Sequence, residues 1–349
     1  MNLREREPKA SAIIPFCQPS MLYADQRWIR GDGIGRFARH VLTGLDYRQV
    51  PLQSNPAAPV DSWFLARALQ PLTRRDLFFS PGYNTPLFCR APFVFTIHDL
   101  TYIKCPEAST PQFRLYFATV MKRACHRAVR ILTVSEFTRK QIIDWSGVAP
   151  EKVVSVGNGV DPLYEPSGDS YGLPFPYLLS VSSRRPHKNE LRIVEAFGQA
   201  NLDSQTRLVF TGEPTPALSG WIERNRLCSR VEFVGIVPEA RMPSLYRGAR
   251  ALVFPSLYEG FGLPIVEAMA CGTPVVTSNV TAMPEVAGDA ALLVDPRSPE
   301  QISRAIEQIE NDASLRQELR QKGLMRVFSF SWKTTCAGVR QILSQAMNC

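Results

Sequence analysis

No stretch of this 349-residue chain approaches the roughly 20 apolar residues that a membrane-crossing helix requires. The apolar piece Ala12-Ile13-Ile14-Pro15-Phe16 is too short for a signal-peptide core, and the segment before it carries both charge signs, so no export signal is expected. Eight cysteines are present, yet none forms a Cys-x-x-Cys pair and none has a histidine at metal-ligand spacing. That pattern excludes a zinc finger and a disulfide framework, and predicts reduced thiols, several of them buried, in a cytoplasmic protein. There is no fixed-period repeat and no low-complexity tract, which leaves solenoids and disordered arms aside. No aromatic-and-basic motif of a known RNA module occurs either, so nucleic acid is not an expected partner.

What is present is ordinary in amount and uneven in placement. Hydrophobic residues make up 45% and charged residues 21%, as in a soluble globular protein, and the length leaves room for two domains with separate cores. The net charge of +8 is lopsided: residues 1–165 hold 21 Lys/Arg against 14 Asp/Glu, whereas residues 166–349 hold 19 against 18. A basic half attracts anionic surfaces, whether lipid headgroups, nucleic acid or phosphorylated substrates. Much of the excess lies in Arg114–Arg130, whose periodicity predicts a helix with Leu115, Ala118, Met121 and Cys125 on its apolar face. Its cations are either a solvated face or a patch for an anionic membrane surface.

Short apolar runs alternate with helical patterns along the chain, which implies parallel sheets with crossover helices. Residues 1–19 show no clear element and read as a flexible leader. Met21–Ala24 is a weak strand, followed by Gly31-Asp32-Gly33-Ile34-Gly35-Arg36 opening a helix through Phe37, Val41 and Leu45. Phe93–Ile97 is a buried strand with His98-Asp99 at its C-terminal end, the end at which α/β sheets place ligands. Val129–Ser135 is the next strand, and Ser135 suits the cap of a helix from Glu136. The segment from Pro162 to Pro176 holds four prolines and reads as a linker between domains 1–165 and 166–332. Tyr177–Val181 then leads to Arg184-Arg185-Pro186-His187-Lys188-Asn189, cations beside a strand end that would neutralise an anion such as a diphosphate.

The most telling stretch is Tyr258-Glu259-Gly260-Phe261-Gly262-Leu263-Pro264-Ile265-Val266-Glu267. It lies between the apolar run Ala251–Pro255, which reads as a buried strand ending at Pro255, and a helix in which Pro264 suits the first turn. Two glycines let the backbone approach a ligand and aim N–H groups at it, and the positive end of the helix dipole favours an anion. Glycine-rich strand-to-helix loops are common. Two carboxylates beside a phosphate cradle are not, and as acceptors they suit the hydroxyls of a polyol.

This stretch resembles the Glu–seven residues–Glu signature of the retaining glycosyltransferases of family four, which have the GT-B fold. Ala268–Val276 and Met283–Ala291 are similar to the same family, and the likeness runs from about Gly31 to Trp332. The resemblance implies an α/β protein of two Rossmann-like domains facing across a cleft, with a C-terminal helix, about 333–349, returning to the first domain. It also implies that Glu259 meets donor-sugar hydroxyls, that Glu267 holds the nucleotide ribose, and that the loop amides of Gly260, Phe261, Gly262 and Leu263 meet the sugar and diphosphate. Gly33 and Gly35 match the loop near the donor phosphates, Arg36 and Asp99 become acceptor-side candidates, and His98 lies near the donor sugar. Asp99 is placed to orient either the imidazole or a loop amide. Lys188 matches the basic residue on the leaving diphosphate. Ser182 stands at the position of the companion cation, which leaves Arg184, Arg185 or neither as its substitute. Val237 falls in the turn whose backbone meets the base.

No Asp-x-Asp pair stands where a metal-held diphosphate would need one, and no carboxylate is clearly placed as a nucleophile. The resemblance therefore implies metal-independent transfer without a cofactor, on one face of the sugar, with charge carried by cations and helix termini. A nucleotide sugar and a glycan or lipid-linked acceptor are the implied partners. His98-Asp99-Leu100 with Pro284-Glu285-Val286 most resembles bacterial mannosyltransferases of surface polysaccharide assembly, which makes GDP-mannose the first donor expected. A nucleotide-sugar epimerase of the same fold is the enzyme alternative, and it would convert donor without any acceptor. A basic nucleic-acid binder is the non-enzymatic one, fitting the charge but not the glutamate pair.

Overall fold

The computed structural model describes residues 21–348, so the leader expected at residues 1–19 lies outside them. Twelve short strands build two separate sheets. The first comprises β1 (Leu22–Ala24), β2 (Arg48–Gln49), β3 (Leu77–Ser80), β4 (Phe93–Thr96), β5 (Arg130–Thr133) and β6 (Val153–Ser155), in the order β2-β1-β3-β4-β5-β6. The second comprises β7 (Tyr177–Ser180), β8 (Arg207–Phe210), β9 (Val231–Phe233), β10 (Ala251–Phe254), β11 (Val275–Ser278) and β12 (Leu292–Val294), in the order β12-β11-β10-β7-β8-β9. Every neighbouring pair is parallel. Parallel sheets are covered on both faces by their crossover helices, which explains why Leu77–Ser80, Phe93–Thr96 and Ala251–Phe254 are buried without alternation. The α/β class and the two Rossmann-like sheets follow the expectation.

Strand order also fixes where ligands can go. In the second sheet the chain runs outward from β7 through β8 to β9, then restarts on the other side of β7 with β10. Loops that leave neighbouring strands in opposite directions open a crevice at their carboxyl ends. Here those are the loops after β7 and β10, which carry Lys188 and Glu259. The first sheet has its own reversal between β1 and β3. There a buried polar cluster ties the loop after β1 to that after β3: Arg27 bridges Asp25 and Asp61, and Asn84 Nδ2 donates to Asp25 at 2.7 Å. Nothing in the local sequence around Asp25 marks this cluster, because its members are up to 59 residues apart.

The last helix, Trp332–Met347, returns to the first sheet and packs Trp332, Cys336, Val339 and Leu343 into the core that holds Phe37 and Val41. The basic segment differs from its expected form. It is helical over Pro111–Tyr116 and Lys122–Arg127, with a π-helical turn over Phe117–Met121 between them. A wider turn rotates the residues that follow, so the buried face is Tyr116, Phe117, Met121, Ala124 and Cys125, while Leu115 is 65% exposed and Ala118 lies outside. Arg130 belongs to β5, not to the helix. All six cysteines among the described residues are free, and four of them are buried.

Candidate functional site

The crevices of the two sheets face each other across a cleft of about 540 Å³. The helix Leu263–Ala270 opens at its floor, capped by Gly262 at φ 98°, a left-handed conformation that favours glycine. Gly260 is required for a different reason. A Cβ there would lie 2.0 Å from the His98 carbonyl oxygen and 2.8 Å from the Asp99 Cβ, so the loop of one sheet touches the loop of the other with no room between. The Gly260 carbonyl accepts from Ser135 Oγ at 2.6 Å and Thr138 Oγ1 at 3.2 Å. Nearby, both Glu285 oxygens accept from the Glu136 and Phe137 amides at 2.8 Å, a carboxylate at the positive end of the Glu136–Ser146 helix. These contacts hold the two halves closed.

Two cation–carboxylate pairs face the cleft. Lys188 Nζ donates to Glu259 Oε1 at 2.6 Å, both side chains being mostly buried. Arg36 pairs with Glu267 Oε1 across the interface, and Tyr246 Oη donates to Glu267 Oε2 at 2.7 Å. Burial alone would lower the Arg36 pKa, but Glu267, Tyr164 and Glu239 together outweigh it and hold the guanidinium well above its ordinary value. Burial and the neighbouring carboxylate push the Tyr246 phenol far upward, so it serves only as a neutral donor.

His98 lines the cleft with Nε2 at 2.9 Å from the Pro81 carbonyl, which fixes the proton on Nε2, and its ring meets Phe37 edge-on. Burial lowers its pKa, partly offset by that carbonyl, so the imidazole is neutral. Asp99 accepts from the Thr101 amide at 2.8 Å, so it orders the loop, not the imidazole. Gly33, Arg36, Arg185, Val237, Leu263 and the loop 259–262 all line the cleft with Lys188 and Glu267.

Two candidates stand apart from this lining. Gly35 is buried in the first turn of its helix, where a Cβ would meet the Arg30 carbonyl oxygen at 2.1 Å. Arg184 turns the other way: it pairs with Glu190, donates to the Glu213 carbonyl at 2.6 Å and stacks over Phe210 and Phe233. Ser182 carries no charge, so Arg185 is the remaining basic residue of that loop in the cleft beside Lys188. The reading of the sequence missed Tyr246, Tyr164, Asn158 and His187. Asn158 Oδ1, His187 Nδ1 and Tyr164 Oη, all on cleft-lining residues, have no hydrogen-bond partner among the described residues. The Asn158 turn and the His187 cation run were visible as motifs; Tyr246 sits mid-helix with no local signal.

Comparison with known proteins matches this geometry. The family model for Glycosyl transferases group 1 covers residues 172–325, and that for Glycosyltransferase Family 4 covers residues 28–163. O-antigen chain mannosyltransferase B of Escherichia coli is 34% identical over 69% of this chain and 67% of its own length. The serotype-specific mannosyltransferase WbdA of Escherichia coli is 28% identical over 69% of this chain, which spans only 32% of that longer protein. Among solved structures, Anabaena HepE in complex with UDP-glucose superposes with a TM-score of 0.74 over 93% of this chain and 99% of that one, at 19% identity, a likeness of fold.

Proposed function

The chain belongs to the glycosyltransferases of group 1 and family 4, and on that premise we propose that it is a retaining enzyme that transfers mannose from GDP-mannose to a glycan or lipid-linked acceptor of surface polysaccharide. The single observation that carries the reading is the pair of acidic residues Glu259 and Glu267, each facing the cleft beside a cation and flanking a helix N-terminus. Carboxylates can accept from sugar hydroxyls, while cations and amides neutralise a diphosphate, so one cleft offers both halves of a nucleotide sugar complementary partners. In this reading Glu267 takes the ribose, Glu259 the donor sugar, and Lys188 with Arg185 the leaving diphosphate. Neutral His98 contributes a hydrogen-bonding face near the sugar, and the closed halves exclude water. The names of the curated relatives support mannose; the resemblance of His98-Asp99-Leu100 supports it further.

Incubation with GDP-mannose and a mannose-terminated acceptor is expected to give an α-linked product, read from the anomeric proton signal of the first product formed. Excess chelator is expected to leave most of the rate. A β-linked product, or a strict need for added manganese or magnesium, overturns the mechanism.

The acceptor side is proposed to work against an anionic membrane. Between Pro111 and Arg127 no acidic residue occurs, and Lys122, Arg123 and Leu115 are all exposed. Arg127 is less free, since it donates to the Leu87 carbonyl at 2.6 Å. Anionic liposomes are expected to sediment the protein at low salt and release it as salt screens the attraction. The double variant Lys122→Glu/Arg123→Glu is expected to lose most of that binding while keeping donor affinity. Wild type that ignores such liposomes makes this face a solvated one.

A further inference from the structure

Glu259 and Glu267 are each paired with a cation, but the two pairs differ in kind. Lys188 and Glu259 come from neighbouring loops of one sheet, whereas Arg36 reaches Glu267 from the helix Gly33–Leu42 of the other. Glu267 is 2% exposed, and both of its oxygens are engaged, one by Arg36 and one by Tyr246. Tyr246 stands in the same half of the molecule as Glu267 and can stay when a ligand enters. Arg36 is the partner that crosses the interface.

The environment of Arg36 is itself incomplete. Its Nε is buried with no hydrogen-bond partner among the described residues, and lies 3.6 Å from Glu239 Oε1, an ion-pair distance only. Beneath it the Tyr164 ring is 5.9 Å away, and the Tyr164 hydroxyl is likewise buried and unpartnered. A guanidinium carries five N–H donors in a planar fork suited to phosphate oxygens. This one, lining a ligand cleft, therefore has spare capacity. In the cleft it would add a third cation to Lys188 and Arg185, where Ser182 supplies no charge and Arg184 is tied to Glu190 and to carbonyls.

We propose that Arg36 is an exchange cation: it neutralises Glu267 in the free protein, and when a nucleoside diphosphate enters, the ribose hydroxyls take over the carboxylate while the guanidinium transfers to the diphosphate. The inference rests on the reading that Glu267 takes the ribose. Separating a buried ion pair is costly unless both members find new partners at once. A nucleoside alone would displace Arg36 with no anion to receive it, and inorganic diphosphate alone would strand Glu267. The exchange therefore selects ligands that join a polyol to a diphosphate, and Arg36 is a positioning residue for that choice.

Calorimetric titration with guanosine and GDP, and in parallel with uridine and UDP, tests this on wild type, Arg36→Met, Arg36→Lys and Glu267→Gln. In Arg36→Met the nucleoside is expected to bind as tightly as in wild type or tighter, because its competitor is gone. The diphosphate is expected to bind about ten- to a hundredfold more weakly, the usual loss for a hydrogen bond to a charged group. Arg36→Lys, which keeps charge without the fork, is expected to fall between, and it carries the test should the methionine variant not fold. Glu267→Gln is expected to weaken both ligands. If Arg36→Met alters both ligands equally, or neither, the exchange is wrong while the ribose reading stands. If Glu267→Gln binds both as wild type does, or wild type binds neither nucleotide, the ribose reading fails and the exchange with it.

Discussion

Lys188→Ala is expected to cut turnover by about 10²–10³-fold, the usual loss when one preorganised charge stabiliser is removed from a reacting centre. The Lys188 ammonium sits at 2.6 Å from Glu259 Oε1 and 5.2 Å from the Phe254 ring centre, held on the loop after β7 at the reversal of strand order. In the proposed mechanism it draws charge from the diphosphate as the glycosidic bond breaks, so its value is greatest in the transition state. Donor affinity, measured by titration with GDP, is expected to fall far less than turnover. The linkage of residual product should remain α, because the face of attack is set by geometry that this ammonium does not supply. Equal losses in affinity and turnover would reduce Lys188 to a binding residue. Glu259 is left without its cation in this variant, so thermal unfolding measured alongside separates a loss of fold from a loss of chemistry.

The second large effect is expected at a residue with no side chain. Gly260→Ala would place a methyl 2.0 Å from the His98 carbonyl oxygen and 2.8 Å from the Asp99 Cβ. Neither neighbour is the end of a flexible side chain, so the two loops must separate by an ångström or more. That displacement would also strain the Ser135 and Thr138 hydrogen bonds to the Gly260 carbonyl. A misplacement of this size costs about a hundredfold in rate when groups from two halves must meet. Nucleotide affinity is expected to fall less than the rate, since Glu267, Lys188 and Arg185 all belong to the second sheet's half and only Arg36 reaches the nucleotide from the first. Initial rates against GDP titrations check the split, and small-angle scattering is expected to report a wider molecule. A variant with normal turnover would mean that the contact between the loops is not needed for transfer.

Much of this was legible before any coordinates. The α/β class follows from buried apolar runs spaced by helical patterns, and Phe93–Thr96 and Ala251–Phe254 lie where those runs predict. The Ser135 cap is a local rule and holds: its hydroxyl accepts from the Thr138 amide at 3.1 Å. The buried face of Arg114–Arg130 departs from an ideal 3.6-residue period because the π-turn at Phe117–Met121 breaks that period, and nothing in the local sequence marks the turn. Leu77–Ser80 went unmarked, a four-residue strand short enough to lack a distinct pattern.

What the sequence determined by itself, then, is the inventory and its local geometry: the glycine-rich loop, the proline in the first turn of the helix after it, and two glutamates one helical turn and a loop apart. These depend on neighbours within about ten residues, and backbone chemistry dictates them. Tertiary structure alone decided the pairings. Arg36 with Glu267 joins residues 231 apart, Glu285 caps a helix start 149 residues away, and Arg184, adjacent to a cleft residue, turns instead to Glu190 and the carbonyls of another strand end. Such choices depend on how two sheets meet and on which buried charge would otherwise lie uncompensated, and no local pattern in the chain records either.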